Sequence, residues 1–243
     1  MEAKKTVKFI SILAVAAVVI FSLVIYFNNR IESREKNAPE SMAEVKLIPN
    51  LENQQSFVAA NMPLIEKNDF TSIHYNDVLN VIVYEDYADL FSADFSASLA
   101  RAQTDFNEQI NIAYRPFNVS NSDLSRESAI AVRCAADVKQ GEQFRSKVFS
   151  SVQENKFSAD SLMVIAEGLG LNKEDFQACL TNIEKKEKIE QQIASADNFS
   201  VYGAPTVFVG DEMVVGARPY ETFTDSNGDE IEGLKQVIER QLK

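Results

Sequence analysis

The stretch Glu85 to Phe95, EDYADLFSADF, follows a β-branched run and leads into a helical pattern, a junction where many folds keep their chemistry. It holds no Cys, His or Lys, and its polar groups are carboxylates and a hydroxyl. A carboxylate–serine pair such as Asp89 and Ser92 needs a base to turn the hydroxyl into a nucleophile. The single histidine, His74, precedes the first strand-like run, so hydrolytic chemistry has no base here. Asp89 fits a simpler role. At a helix N-terminus a carboxylate accepts backbone N–H groups and meets the positive end of the dipole, worth about 0.5–2 kcal/mol.

Cys134 and Cys179 are the other candidates for covalent chemistry, and they lie 45 residues apart in a helical block. In an oxidising compartment they are expected to pair, and a bridge closing that loop stabilises a fold by roughly 3–4 kcal/mol on the chain-entropy model. In a reducing one they are two small buried apolar residues. A redox site made from this pair would need an exposed, electropositive setting, which a helix-to-helix bridge lacks.

Weaker patterns imply no metal and no cofactor. Asp225 to Glu230, DSNGDE, alternates oxygen ligands, but its glycine is misplaced for a calcium loop and Gln236 occupies the twelfth position, so an Asn-Gly turn is expected. Asn118-Val119-Ser120 and Asn198-Phe199-Ser200 match a glycosylation triplet. The charged run Glu184 to Glu190 reads as a solvated helix face.

The elements that must position these residues come from the hydrophobic pattern. The chain has 243 residues, 45% of them hydrophobic, which is enough for a core. Its net charge of -12, from 36 acidic and 24 basic residues, excludes a phosphate-neutralising surface and so a nucleic-acid partner. Residues 1–8 form a short tail. Phe9 to Phe27 is a run of nineteen uncharged residues that spans roughly 28 Å as a helix, about one bilayer core, and it predicts a single transmembrane anchor. It exceeds the usual signal-peptide core of about 7–15 residues, and no small-x-small cleavage site follows it. Lys4, Lys5 and Lys8 before it and Arg30, Arg34 and Lys36 after it leave the orientation open on charge. Residues 28–68, interrupted by Pro39, Pro49 and Pro63, read as a stalk.

Beyond the stalk, residues 69–243 read as one domain. VLNVIVYED, Val78 to Asp86, predicts a buried strand. Leu90, Phe91, Phe95, Leu99, Ala102 and Phe106 give residues 89–108 one apolar helical face, and Ile110 to Phe117 forms a second strand, making a right-handed β-α-β unit. Residues 123–198 predict a helical block with Ser122 or Asp123 as first cap. Pro205 to Gly216 predicts a hairpin around Gly210-Asp211-Glu212, and IEGLKQVIERQL supplies a closing helix.

This order resembles the thioredoxin fold of the DsbA-like family, an α/β fold with a helical domain inserted between its halves. The resemblance covers about residues 70–243. It is carried by VIVYEDY, AAD beside Cys134, FQACL around Cys179, GAPTVFV from Gly203, and VVGARPYETF. It implies a cis proline at Pro205 facing the active site. It also implies a Cys-x-x-Cys where this chain has Asp89, Leu90, Phe91 and Ser92. Thiol–disulfide exchange needs one thiolate to attack and a second to resolve, so the family's oxidoreductase reaction has no residues here.

The expected function is therefore that of a membrane-anchored, extracytoplasmic DsbA-like protein of a bacterial-type envelope. Its groove beside Ala204, Pro205, Thr206 and Phe91 is expected to bind an extended peptide or an envelope protein without redox chemistry. The alternatives are an oxidoreductase working through Cys134 and Cys179 or through a partner's cysteines, and an assembly component that uses the stalk as a spacer.

Overall fold

A computed structural model describes residues 62–67, 69–71 and 75–243, so the expected anchor at 9–27 and most of the expected stalk lie outside the described residues. A five-stranded sheet organises the domain, in the order β1 (Phe70–Thr71), β3 (Ile110–Pro116), β2 (Leu79–Glu85), β4 (Thr206–Val209), β5 (Glu212–Val215). β2 and β3 run parallel, from Leu79 opposite Ile110 to Glu85 opposite Pro116. Their crossover is α1 (Leu90–Phe106). β4 is antiparallel to β2, and β5 to β4.

The run in β2 explains its central place. Val81, Ile82, Val83 and Tyr84 are all at most 1% exposed, so both faces of the strand are covered. With a side-chain period of two, Val81 and Val83 join one core with Phe95, Leu99, Ala102 and Phe106 of α1 and with Leu234, Val237 and Ile238 of α7 (Leu234–Gln241). Ile82 and Tyr84 join a second core with Ala113, Ala196, Val201 and Phe208.

Five helices form the insertion: α2 (Asp123–Asp137), α3 (Gly141–Gln153), α4 (Ala159–Gly168), α5 (Lys173–Leu180) and α6 (Ile183–Ser195). α2 is the hub, packed against all four others. Its cap is Ser122, whose hydroxyl accepts the Ser125 amide at 3.1 Å. Asn172 and Asn182 cap α5 and α6 in the same way. No helix among the described residues is long and apolar enough to cross a membrane.

The β4–β5 hairpin turns at Gly210, where φ is +59°, a conformation that favours glycine. The Asp225 to Glu230 segment is an Asn-Gly turn. It links two short strands not anticipated from the sequence, β6 (Phe223–Thr224) and β7 (Glu230–Ile231), and the Asp225 carboxylate accepts the amides of Asn227 at 2.8 Å and Asp229 at 3.0 Å.

Residues 62–67, read from sequence as the end of the stalk, lie against the domain. Met62 and Ile65 pack on the second core. Buried Arg115 donates to the Leu64 carbonyl at 2.6 Å, to the Tyr84 hydroxyl at 2.9 Å and to both carboxylate oxygens of Asp69. The same arginine anchors the approach to β1, whose Phe70 pairs with Tyr114 at the sheet edge.

Candidate functional site: the edge between α1 and the loop before β4

The chain leaves β2 at Glu85, turns through Asp86 to Ala88 and enters α1 with Asp89 as N-cap. The Asp89 carboxylate accepts the Ser92 amide at 2.8 Å. Ser92 is 1% exposed, and its hydroxyl accepts the Asp86 amide at 3.1 Å. Both polar side chains at positions 89–92 are thus used to close the helix start. The two apolar ones face water, Leu90 at 51% and Phe91 at 64% exposed.

The opposite side of the edge is the loop before β4. The register sets Thr206 opposite Tyr84, which brings Pro205 beside the chain entering α1. The Ala204–Pro205 bond is cis. Thr206 is buried, and its hydroxyl donates to the Gly203 carbonyl at 2.7 Å, so it shapes the loop from within. The Pro205 carbonyl accepts the Gly216 amide at 2.8 Å, tying the loop to the exit of β5. Ala204 is half-buried, and among the described residues its amide and carbonyl take part in no hydrogen bond.

Two residues not singled out from the sequence complete the edge. Tyr202, in the same loop, is 83% exposed. Val119, in the loop between β3 and α2, is half-exposed and donates its amide to Asp86 at 2.9 Å, which holds it at the start of α1. The signal for Tyr202 was its place three residues before Pro205; Val119 carried none, because only the fold brings its loop to this end of the sheet.

Beneath the edge the charges are paired. Glu85 and Arg145 form a buried bidentate ion pair with both contacts at 2.5 Å. The Arg145 guanidinium also stacks 4.2 Å from the Tyr114 ring and 4.8 Å from that of Phe149. Burial, reinforced by the Glu85 charge, holds the Tyr87 hydroxyl well above its ordinary range. Burial also pushes the Asp86 carboxyl upward.

Cys134 and Cys179 form a disulfide joining α2 to α5, with their Cα atoms 5.9 Å apart, inside the insertion. They are the chain's two cysteines, and they do not form a Cys-x-x-Cys. Asp137 and Asp175 line the cavity of about 280 Å³ that reaches the bridge. Asp137 is itself paired with Lys185 and Arg133, so among the described residues the cavity presents no unpaired cation of the kind that lowers a reactive cysteine's pKa.

The parallel β-α-β half, the hairpin half and the helices set between them define a thioredoxin-like fold with a helical insertion. The chain belongs to the DSBA-like thioredoxin domain family, whose domain matches residues 80–226. Solved structures with the same fold include BdbD from Bacillus subtilis, 16% identical over 72% of this chain and 94% of that one, with a TM-score of 0.60. The thiol-disulfide exchange protein alpha-DsbA2 from Wolbachia pipientis is 18% identical, over 77% and 97% of the two chains, with a TM-score of 0.57. A periplasmic thioredoxin-like protein from Salmonella enterica serovar Typhimurium is 17% identical, over 79% and 98%, with a TM-score of 0.58. No curated protein matches the chain. At these identities the likeness is one of fold.

Proposed function

We propose that this protein is a membrane-anchored, extracytoplasmic member of the family that binds an extended segment of an envelope protein and runs no thiol chemistry. The observation that carries the reading is the division of labour at positions 89–92. Asp89 and Ser92, where the family's cysteines are expected, are committed to helix-closing hydrogen bonds, while Leu90 and Phe91 are turned outward. Beside them Ala204 offers a free amide and carbonyl, the groups to which an extended strand adds. Leu90, Phe91, Val119 and Tyr202 offer apolar contact for its side chains. The uncharged run from Phe9 to Phe27 supports the anchor, and the Cys134–Cys179 bridge supports an oxidising compartment.

The test uses the full chain and a reduced, carboxymethylated protein that stays unfolded. Binding is expected in the wild type and is expected to weaken about tenfold or more in the Phe91→Ser and Tyr202→Ser variants, the range for buried aromatic anchors. Insulin reduction and dithiol oxidation are expected to match a control without protein. Equal binding by the variants would move the site elsewhere. Turnover abolished by Cys134→Ser would replace this reading with that of an oxidoreductase working through the insertion.

A further inference from the structure

Asp86 is a carboxylate only 2% exposed, and three donors from three segments converge on it. Ala88, in the turn into α1, donates its amide to Oδ1 at 2.9 Å. Val119, in the loop between β3 and α2, donates its amide to Oδ2 at 2.9 Å, and the Ser125 hydroxyl of α2 donates to the same oxygen at 3.0 Å. The amide of Asp86 itself donates to Ser92 within α1. One residue thus links the end of β2, the start of α1 and the entry to the helical insertion. One of the exposed apolar residues of the edge, Val119, is held by these bonds directly, because its own amide is a donor.

We propose that Asp86 is the positioning residue of the peptide edge: its ionised carboxylate fixes Val119 against the start of α1, and protonating it loosens the edge and weakens what the edge holds. This rests on the reading of the edge as a binding site. Two carboxylate oxygens serve three hydrogens, and a proton adds a fourth. The Ser125 hydroxyl can adjust by turning to accept, since the Ser122 hydroxyl lies 2.8 Å away as an alternative partner. The amides of Ala88 and Val119 can only donate, so their bonds weaken. Burial favours the neutral carboxyl, the charge of Asp89 on α1 acts in the same direction, and the three hydrogen bonds oppose both. From α2 and the β3–α2 loop the facing groups are the neutral donors Ser125 and Val119, and the neighbouring Glu85 is engaged by Arg145.

The experiment reads two quantities on the full chain, at about pH 7 and at about pH 4, the ordinary aspartate value, where a carboxyl raised above it is mostly protonated. One is the protection of the Ala88 and Val119 amides from hydrogen exchange; the other is the affinity for reduced, carboxymethylated α-lactalbumin. On acidification the wild type is expected to lose about tenfold in both, the effect of weakening a charge-assisted hydrogen bond. Asp86→Asn is expected to show the lowered values already at neutral pH and to change little further in acid. Ser125→Ala keeps the carboxylate but removes a bond that favours its charge, so its loss of protection is expected at higher pH than in the wild type. Protection that is equal at the two pH values and unmoved by Ser125→Ala, in a chain that binds the probe, overturns the role of Asp86. A chain that binds no probe at either pH overturns the reading of the edge itself.

Discussion

The Asp89 carboxylate accepts the Ser92 amide at 2.8 Å, so the two positions that the resemblance aligns with the family's cysteines are bonded to each other as cap and capped residue. A cysteine pair at a helix start uses the same local geometry for a different end, since the positive end of the helix favours a thiolate. Here the carboxylate takes that place as a fixed charge and has no electrons to exchange. The helix start is kept, and the chemistry that could be built on it is absent.

Replacing Asp89 by alanine leaves the Ser92 amide without its acceptor and removes a favourable charge. The expected cost is about 0.5–2 kcal/mol, whereas Asp89→Asn, which keeps the acceptor, costs much less. Urea unfolding midpoints of the two variants measure this. Equal destabilisation by both would mean that the carboxylate acts through its charge and not as a cap.

The bridge between Cys134 and Cys179 closes a loop of 45 residues. Protein from an oxidising compartment, unfolded without reductant, should show no free thiol, and two after reduction. The double serine variant should unfold roughly 3–4 kcal/mol more easily on the chain-entropy model. Equal stability would show that helix packing around Phe144, Val148 and Phe176 suffices alone.

Glu85 and Arg145 are both buried, so each depends on the other for its charge to be tolerated. Removing one partner, as in Glu85→Gln, should cost about 3–5 kcal/mol. Replacing both, Glu85→Leu with Arg145→Met, should cost far less than the sum of the single changes. Additive single and double effects in a double-mutant cycle would show that the pair is not coupled.

Asp86 sets a pH dependence with a defined sign. Its folded carboxyl lies above the unfolded one, chiefly through burial, so the folded state holds the proton more tightly. The ionised residue therefore counts against folding above its folded value, and that handicap fades as pH falls from there toward the unfolded range. The stability difference between wild type and Asp86→Asn should shift toward the wild type on acidification. The contribution of Asp86 to global stability and the local protection of Val119 thus move in opposite directions. A difference independent of pH would contradict the raised value.

If Phe9 to Phe27 anchors the chain, the protein should stay in the membrane pellet after alkaline carbonate washing. Deleting residues 1–27 should release it. A full chain that washes off would remove the anchor from the proposal.

The continuous apolar run from Val81 to Tyr84, the apolar stripe of α1 from Phe95 to Phe106, the hairpin around Gly210 and the helical block were legible because each depends on local composition, local periodicity or one turn residue. Leu90 and Phe91, expected on the same stripe, face water instead because they stand at the helix start, beyond the sheet it packs on. Their observed bounds follow the expected ones within a few positions: a strand read over Val78 to Asp86 runs from Leu79 to Glu85. β1 and the β6–β7 pair were not legible. At two residues each they have no periodicity of their own and form only because Tyr114 and one another offer partners. Residues 62–67 looked like linker for a similar reason, since what draws them in is Arg115, a charge buried in β3 that needs the Leu64 carbonyl and Asp69.

At the candidate site, sequence alone determined what the edge cannot do, because the residue types at positions 89–92 exclude thiol exchange wherever they sit. It also picked out Pro205 and the cysteine pair by their motifs. Tertiary structure decided what the edge can offer. Whether a side chain faces water or core at a helix start, and whether Ala204 finds a backbone partner, depend on which strands pair. The position of Val119 depends on a bond to Asp86 across 33 residues of chain. A carboxylate becomes a clasp only when the fold removes its water and supplies three donors in its place, and no pattern local to Asp86 encodes where those donors come from.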